Sequence, residues 1–280
     1  MRDRFTPKEI PITERLAKWP GMQDRIKEVF RLNETGGEPF FFLIETETGD
    51  RTSSPLFQGE QHRIEAPLAV MFNYLCPQFT EEDFDRIANG EGTQEEVHAI
   101  DAQLAKVKGK IHFHPNGVVE PSMDDLSLMQ HLYSLYSSAH FSPPLQIIGR
   151  KNQENKFDLL SFNQIADLPA PEIVTQLPKL VEKYVLLRAL PGYLRRIGQS
   201  GRATELRQSL FGLENLQFDQ FITRYKEIIA SMPGQEFVES FRTQFRGNFT
   251  VFPEYLSCVQ AALSEFKCFE THITSIDPEN

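Results

Sequence analysis

The 280-residue chain is poor in cysteine and has fewer basic than acidic residues, and each shortage excludes something. Its three cysteines, Cys76, Cys258 and Cys268, are odd in number and show no CxxC spacing. That argues against a disulfide framework and fits a reducing, cytoplasmic compartment with the thiols as small buried apolar residues. Any metal would then have to be held by histidine and carboxylate. No apolar run approaches the roughly 18 residues of a membrane span, and the opening MRDRFTPKEI has no apolar signal-peptide core, so neither spanning nor secretion is expected. Lys and Arg number 29 against 39 Asp and Glu, a net charge of −10. A duplex nucleic-acid binder usually needs a basic face, so nucleic acid is not an expected partner.

What remains is an ordinary globular composition, 40% hydrophobic and 24% charged, without a low-complexity tract. Residues 1–20, punctuated by Pro7, Pro11 and Pro20, read as an N-terminal extension. MQDRIKEVFRL then carries Ile26, Val29 and Phe30 at helical spacing, and PFFFLI (39–44) reads as a strand buried on both faces. A weaker strand is expected near His62–Ile64. Residues 67–108 turn helical, with Thr93 and Glu96 spaced as a capping box. KIHFH (110–114) alternates as a strand, Ser122 opens a helix, and LQIIG and FDLLSF (157–162) read as a hairpin. Beyond the prolines 169, 171 and 178 everything reads as helical. The expectation is a mixed α/β (α+β) unit over 21–165 and an all-helical region of unknown role over 166–280.

The stretch Gly109–Asp125, GKIHFHPNGVVEPSMDD, holds the chemistry. Residues two apart on a strand project to one side, so His112 and His114 point together. A loop returning to a helix N-terminus can bring Asp125 in as a third ligand, and two imidazoles with one carboxylate leave a tetrahedral ion an open position. Ser122, three residues before Asp125, can donate to an oxyanion. It is equally an ordinary N-cap with an acidic residue in the first turn.

The pattern H-x-H-P-x6-S-x-x-D, complete over His112, His114, Pro115, Ser122 and Asp125, resembles the JAMM motif of the JAB/MPN zinc metalloproteases, bacterial JAB type. The resemblance covers about residues 21–165. It implies a curved, cytidine-deaminase-like sheet flanked by helices, a zinc ion on His112, His114 and Asp125, and an oxyanion role for Ser122. It also implies isopeptidase or peptidase activity on the C-terminal tail of ubiquitin or a ubiquitin-like protein. The family's distant glutamate is a general base. Glu38, directly before the strand PFFFLI, suits that position, and Glu34 in ETGG is the alternative. The 74-residue interval from Glu38 to His112 is long for the family and fits helices inserted around 67–90. HPNGVVEPSMDD also resembles the RadC branch of the superfamily, which implies another substrate. A third reading is a non-catalytic MPN scaffold in an assembly. The helical region is left open to substrate recognition, restraint of the site, or homodimerisation. Its arginines, Arg188, Arg195, Arg196, Arg202 and Arg207, read as a solvated face or as a dock for an acidic protein or phosphate.

Overall fold

The structure is a computed structural model that describes residues 16–32, 38–59, 65–114, 117–139, 141–152, 154, 156–232, 241 and 252–277. Glu34, Pro115, the strand expected at 62–64 and most of the N-terminal extension lie outside the described residues.

A 3-10 turn, Leu16–Lys18, leads into helix α1 (Met22–Leu32), and strand β1 (Glu38–Glu45) follows. Two short strands, β2 (Arg51–Ser53) and β3 (Phe57–Gly59), fold back antiparallel onto β1. Helices α2 (Glu65–Leu75), α3 (Glu81–Ala88) and α4 (Gln94–Leu104) come next, the last opened by the expected Thr93–Glu96 capping box. Then come β4 (Val107–Phe113), α5 (Met123–Ser138), β5 (Leu145–Lys151) and β6 (Phe157–Gln164). The later helices are α6 (Ala170–Tyr184), α7 (Leu190–Arg196), α8 (Ser200–Ser209), α9 (Phe218–Ser231) and α10 (Tyr255–Ser264). The sheet order is β2-β1-β4-β5-β6 and then a last strand, β7 (Phe269–Ile276), with β3 also on β1 and with β4 and β5 parallel.

β7 (Phe269–Ile276) corrects the expectation of an all-helical C-terminal region, because the chain returns to the sheet and pairs along β6 from Phe157↔Ile276 to Gln164↔Phe269. The segment is rich in β-branched residues (Thr271, Ile273, Thr274, Ile276), which suit a pleated surface. The helix before it ends at Ser264, and the turn into the strand runs through Lys267, whose φ of 55° lies in the left-handed region. A lysine gives none of the warning that a glycine there would.

Alternation assigns the two sheet faces. Phe41, Leu43, Ile111, Phe113, Ile147, Leu159 and Ile276 bury one face against Leu16, Trp19, Met22, Ile26 and Val29. Each such side chain taken fully out of water contributes about 1.5–3 kcal/mol. At Gly149, opposite Phe113, a Cβ would run into the Phe113 ring, so β5 needs glycine there. The opposite face is covered in two halves. Phe40, Phe42 and Ile44 pack with α2, α4 and the Leu128–Leu132–Tyr136 side of α5. Ile148, Leu160 and Phe162 pack with Leu126 and Met129 of α5 and with α6–α10, so buried residues from both sides of position 165 share one cluster. His112 of β4, and His114 just beyond it, emerge on this second face, beneath the N-terminus of α5.

Candidate metal centre

His112 sits inside β4 and His114 just past its end. The chain turns back at Gly117, whose N–H donates to the His114 carbonyl (3.0 Å) and whose φ of 68° is a glycine conformation. Val119 and Pro121 are buried, and Ser122 then caps α5. The loop thereby brings Asp125, at position N3 of the helix, under both imidazoles.

His112 Nε2 lies 2.9 Å from Asp125 Oδ1, His114 Nε2 lies 3.3 Å from Asp125 Oδ2, and the two Nε2 atoms are 3.2 Å apart. All three residues are buried. Ligand atoms about 2.0–2.1 Å from a tetrahedral ion stand roughly 3.3–3.4 Å from one another, and these separations, one to each carboxylate oxygen of Asp125, are of that order. The group can hold a metal ion. His114 Nδ1–H donates to the Val118 carbonyl (2.9 Å), which fixes the tautomer and turns Nε2 toward Asp125 and His112. His112 Nδ1 is buried without a hydrogen bond among the described residues.

The electrostatics separate the two rings. Burial pushes His112 down to about 4 against the pull of Asp125. Burial also works to lower His114, but the hydrogen bond and charge of Asp125, with Glu38 and the Val118 carbonyl, outweigh it and raise its pKa. One imidazolium can sit beside Asp125, and a second in the same pocket would repel it. Burial likewise opposes ionisation of Asp125, yet His112, His114 and Lys110 hold its carboxyl well below the usual range.

Ser122 is fully engaged in the helix cap. Its Oγ donates to Asp125 Oδ2 (2.7 Å) and accepts from Asp125 N–H (3.1 Å), while Ser122 N–H donates to Oδ2 (2.9 Å). Glu38 is the first residue of β1 and is partly buried. Since Phe40 pairs with His112, continuing that antiparallel register puts Glu38 opposite His114 and on the same face. Its charge is felt by both His114 and Lys110.

Three residues of the site escaped sequence reasoning. Lys110, two before His112 and so on the same face, is 6% exposed with its ammonium 5.6 Å over the Phe40 ring. The strand period alone could have found it. Glu120, within the loop, accepts a hydrogen bond from the Tyr255 hydroxyl (3.0 Å). Burial pushes its carboxyl up, against that hydrogen bond and the charge of His114. Tyr255 reaches in from α10, 135 residues away in sequence, and nothing local announces it.

The arginines of the helical region divide. Arg188 donates to the Ser257 carbonyl, Arg196 pairs with Glu254 at 2.8 Å, and Arg202 donates to Gln199. Arg195 and Arg207 line a shallow pocket of about 470 Å³ beside Phe211. No described helix is long and apolar enough to cross a membrane.

No family model and no curated protein matches the chain.

Proposed function

We propose that the protein is a zinc-dependent isopeptidase or peptidase of the JAMM type, acting on the C-terminal tail of a ubiquitin-like protein. The observation that carries this reading is the convergence of His112 Nε2 and His114 Nε2, 3.2 Å apart, on the Asp125 carboxylate, whose Oδ1 lies 2.9 Å from the first and whose Oδ2 lies 3.3 Å from the second, on the face that the sheet register gives to Glu38. When bound there, zinc supplies a Lewis acid that polarises a carbonyl and makes water acidic near neutral pH. The residues do the rest. The Glu38 carboxylate accepts a proton from the attacking water and returns it to the departing amine nitrogen, as a general base and then acid. Ser122 Oγ orients Asp125 through the cap, and donation to an oxyanion requires that hydroxyl to exchange its bond to Oδ2. The buried sheet and α5 hold the ligands in place, so little reorganisation is needed when the metal enters.

A RadC-like protein with another substrate has the same ligand set, and Pro121-Ser122 before the helix favours keeping that reading open. The test measures zinc content and cleavage of ubiquitin-like fusions by wild type, His114→Ala and Glu38→Gln. Wild type is expected to hold stoichiometric zinc and to cleave, His114→Ala to lose both, and Glu38→Gln to keep the zinc and lose the cleavage. Zinc without cleavage of any such fusion moves the assignment to another substrate. Wild type that binds no metal sinks it.

A further inference from the structure

The loop that shapes the metal centre is held from outside by the C-terminal helical region. Tyr255 is completely buried, in the cluster that joins α10 to the sheet and to α5. Its hydroxyl touches the loop twice, donating to Glu120 Oε1 (3.0 Å) and accepting a longer bond from Val119 N–H (3.4 Å). The next residue toward the histidine, Val118, supplies the carbonyl that takes the His114 Nδ1–H. A second support stands behind the ring. The Arg150 guanidinium lies over Tyr255, 5.2 Å from its centroid, and pairs with Asp158 at 3.3 Å. Asp158 in turn receives the Ser275 hydroxyl of β7 at 2.8 Å. Elements from the second half of the chain thus converge on residues 118–120, between one pair of ligands and the third.

We infer that Tyr255 is a positioning residue for the metal centre: it fixes residues 118–120, and through the Val118 carbonyl it fixes the tautomer and orientation of His114. This gives the helical region a role at the site without any contact to the reacting atoms. The chemistry is that of an outer-shell partner, whose loss typically weakens metal binding about 10- to 100-fold. Removing the hydroxyl leaves the Glu120 carboxylate and the Val119 N–H without this shared partner in a nearly dry setting, and the loop relaxes to resatisfy them. The metal arm rests on the reading proposed above; the tautomer arm does not.

The experiment compares wild type with Tyr255→Phe, which removes one oxygen and keeps the ring. Val259→Ala, a core change on the same helix with no polar link to the loop, is the control. Two quantities are read: the His114 tautomer in metal-free protein by long-range ¹H–¹⁵N NMR, at a pH high enough that the ring is neutral, and zinc affinity by chelator competition. Tyr255→Phe is expected to mix the His114 tautomers and weaken zinc binding about 10- to 100-fold, while Val259→Ala lowers thermal stability and moves neither. If Tyr255→Phe does not fold, Glu120→Ala removes the same hydrogen bond from the loop side and is read the same way. An unchanged tautomer in the folded variant overturns the inference, as does an equal shift in Val259→Ala. A wild type that binds no zinc but shows the tautomer shift in Tyr255→Phe overturns the metal reading and leaves the positioning role standing.

Discussion

Ser122 Oγ sits 2.7 Å from Asp125 Oδ2, so the hydroxyl beside the candidate metal centre is committed to the carboxylate that completes that group. The same two residues exchange backbone and side-chain hydrogen bonds as the capping box of α5. Helix start and ligand placement are therefore one interaction. Ser122→Ala is expected to cost about 1 kcal/mol of stability, within the 0.5–2 kcal/mol of lost N-caps, and to weaken metal binding as well. Ser122→Thr keeps a capping hydroxyl and should restore both. Urea unfolding and chelator competition read the two effects. A Ser122→Ala protein with unchanged stability and metal affinity would confine the hydroxyl to chemistry.

Acid should loosen the metal-free protein through His112. Its folded pKa of about 4 lies below its ordinary 6.5, so between those values the unfolded chain binds a proton that the folded chain refuses. Stability then falls as pH drops from about 6.5 to about 4, by up to about 1.4 kcal/mol per pH unit for one proton. Asp125, held below 3.8, acts in the same direction further into acid. His114, with its raised pKa, acts oppositely: its contribution is complete below 6.5 and is lost as pH rises through its folded value. Chelator-treated wild type and His112→Gln, unfolded in urea across this range, separate the terms. His112→Gln should flatten the slope between about pH 4 and 6.5. A slope unchanged in that variant assigns the acid sensitivity elsewhere.

The site was legible because its ligands are local. His112, His114 and Asp125 fall within 14 residues, and a strand period followed by a capped helix start is enough to bring them together. β1, the β5–β6 hairpin and the box at Thr93–Glu96 were legible for the same reason, since each is dictated by neighbours in sequence. Glu120 and Tyr255 were not, because their hydrogen bond exists only after α10 has docked. β7 was hidden because the turn between the helix end at Ser264 and the strand runs through a left-handed lysine, Lys267, rather than through glycine or proline.

That last strand is a structural member of the sheet, and Ile276 tests it. The side chain is 2% exposed and packs with Leu16, Trp19 and Met22 on the face away from the histidines. Ile276→Ala should cost about 2–5 kcal/mol, the range for emptying a buried isoleucine site. Equilibrium unfolding measures it, and hydrogen exchange should show faster opening along β6, its pairing partner. A cost below about 0.5 kcal/mol, typical of surface substitutions, would mean that the end of β7 frays.

Lys110 sets a cation beside a group that could hold another. Its ammonium is attracted to Asp125 and Glu38, while burial works to lower its pKa. It makes no hydrogen bond to a described residue. In metal-free protein it partly balances the two carboxylates; once a divalent ion sits on Asp125, the same ammonium faces a positive centre and the attraction becomes repulsion. Lys110→Met keeps the long apolar stem over Phe40 and removes only the charge. At an effective dielectric of about 20, a unit charge roughly 10 Å from a divalent ion opposes it by about 3 kcal/mol, on the order of a hundredfold in binding. Zinc affinity of Lys110→Met should therefore rise by about that factor, and Lys110→Arg, which keeps the charge, should stay near wild type. Isothermal titration at fixed pH decides it. Weaker zinc binding in Lys110→Met would reverse the sign of the effect and make Lys110 a residue that holds Asp125 and Glu38 in place for the metal.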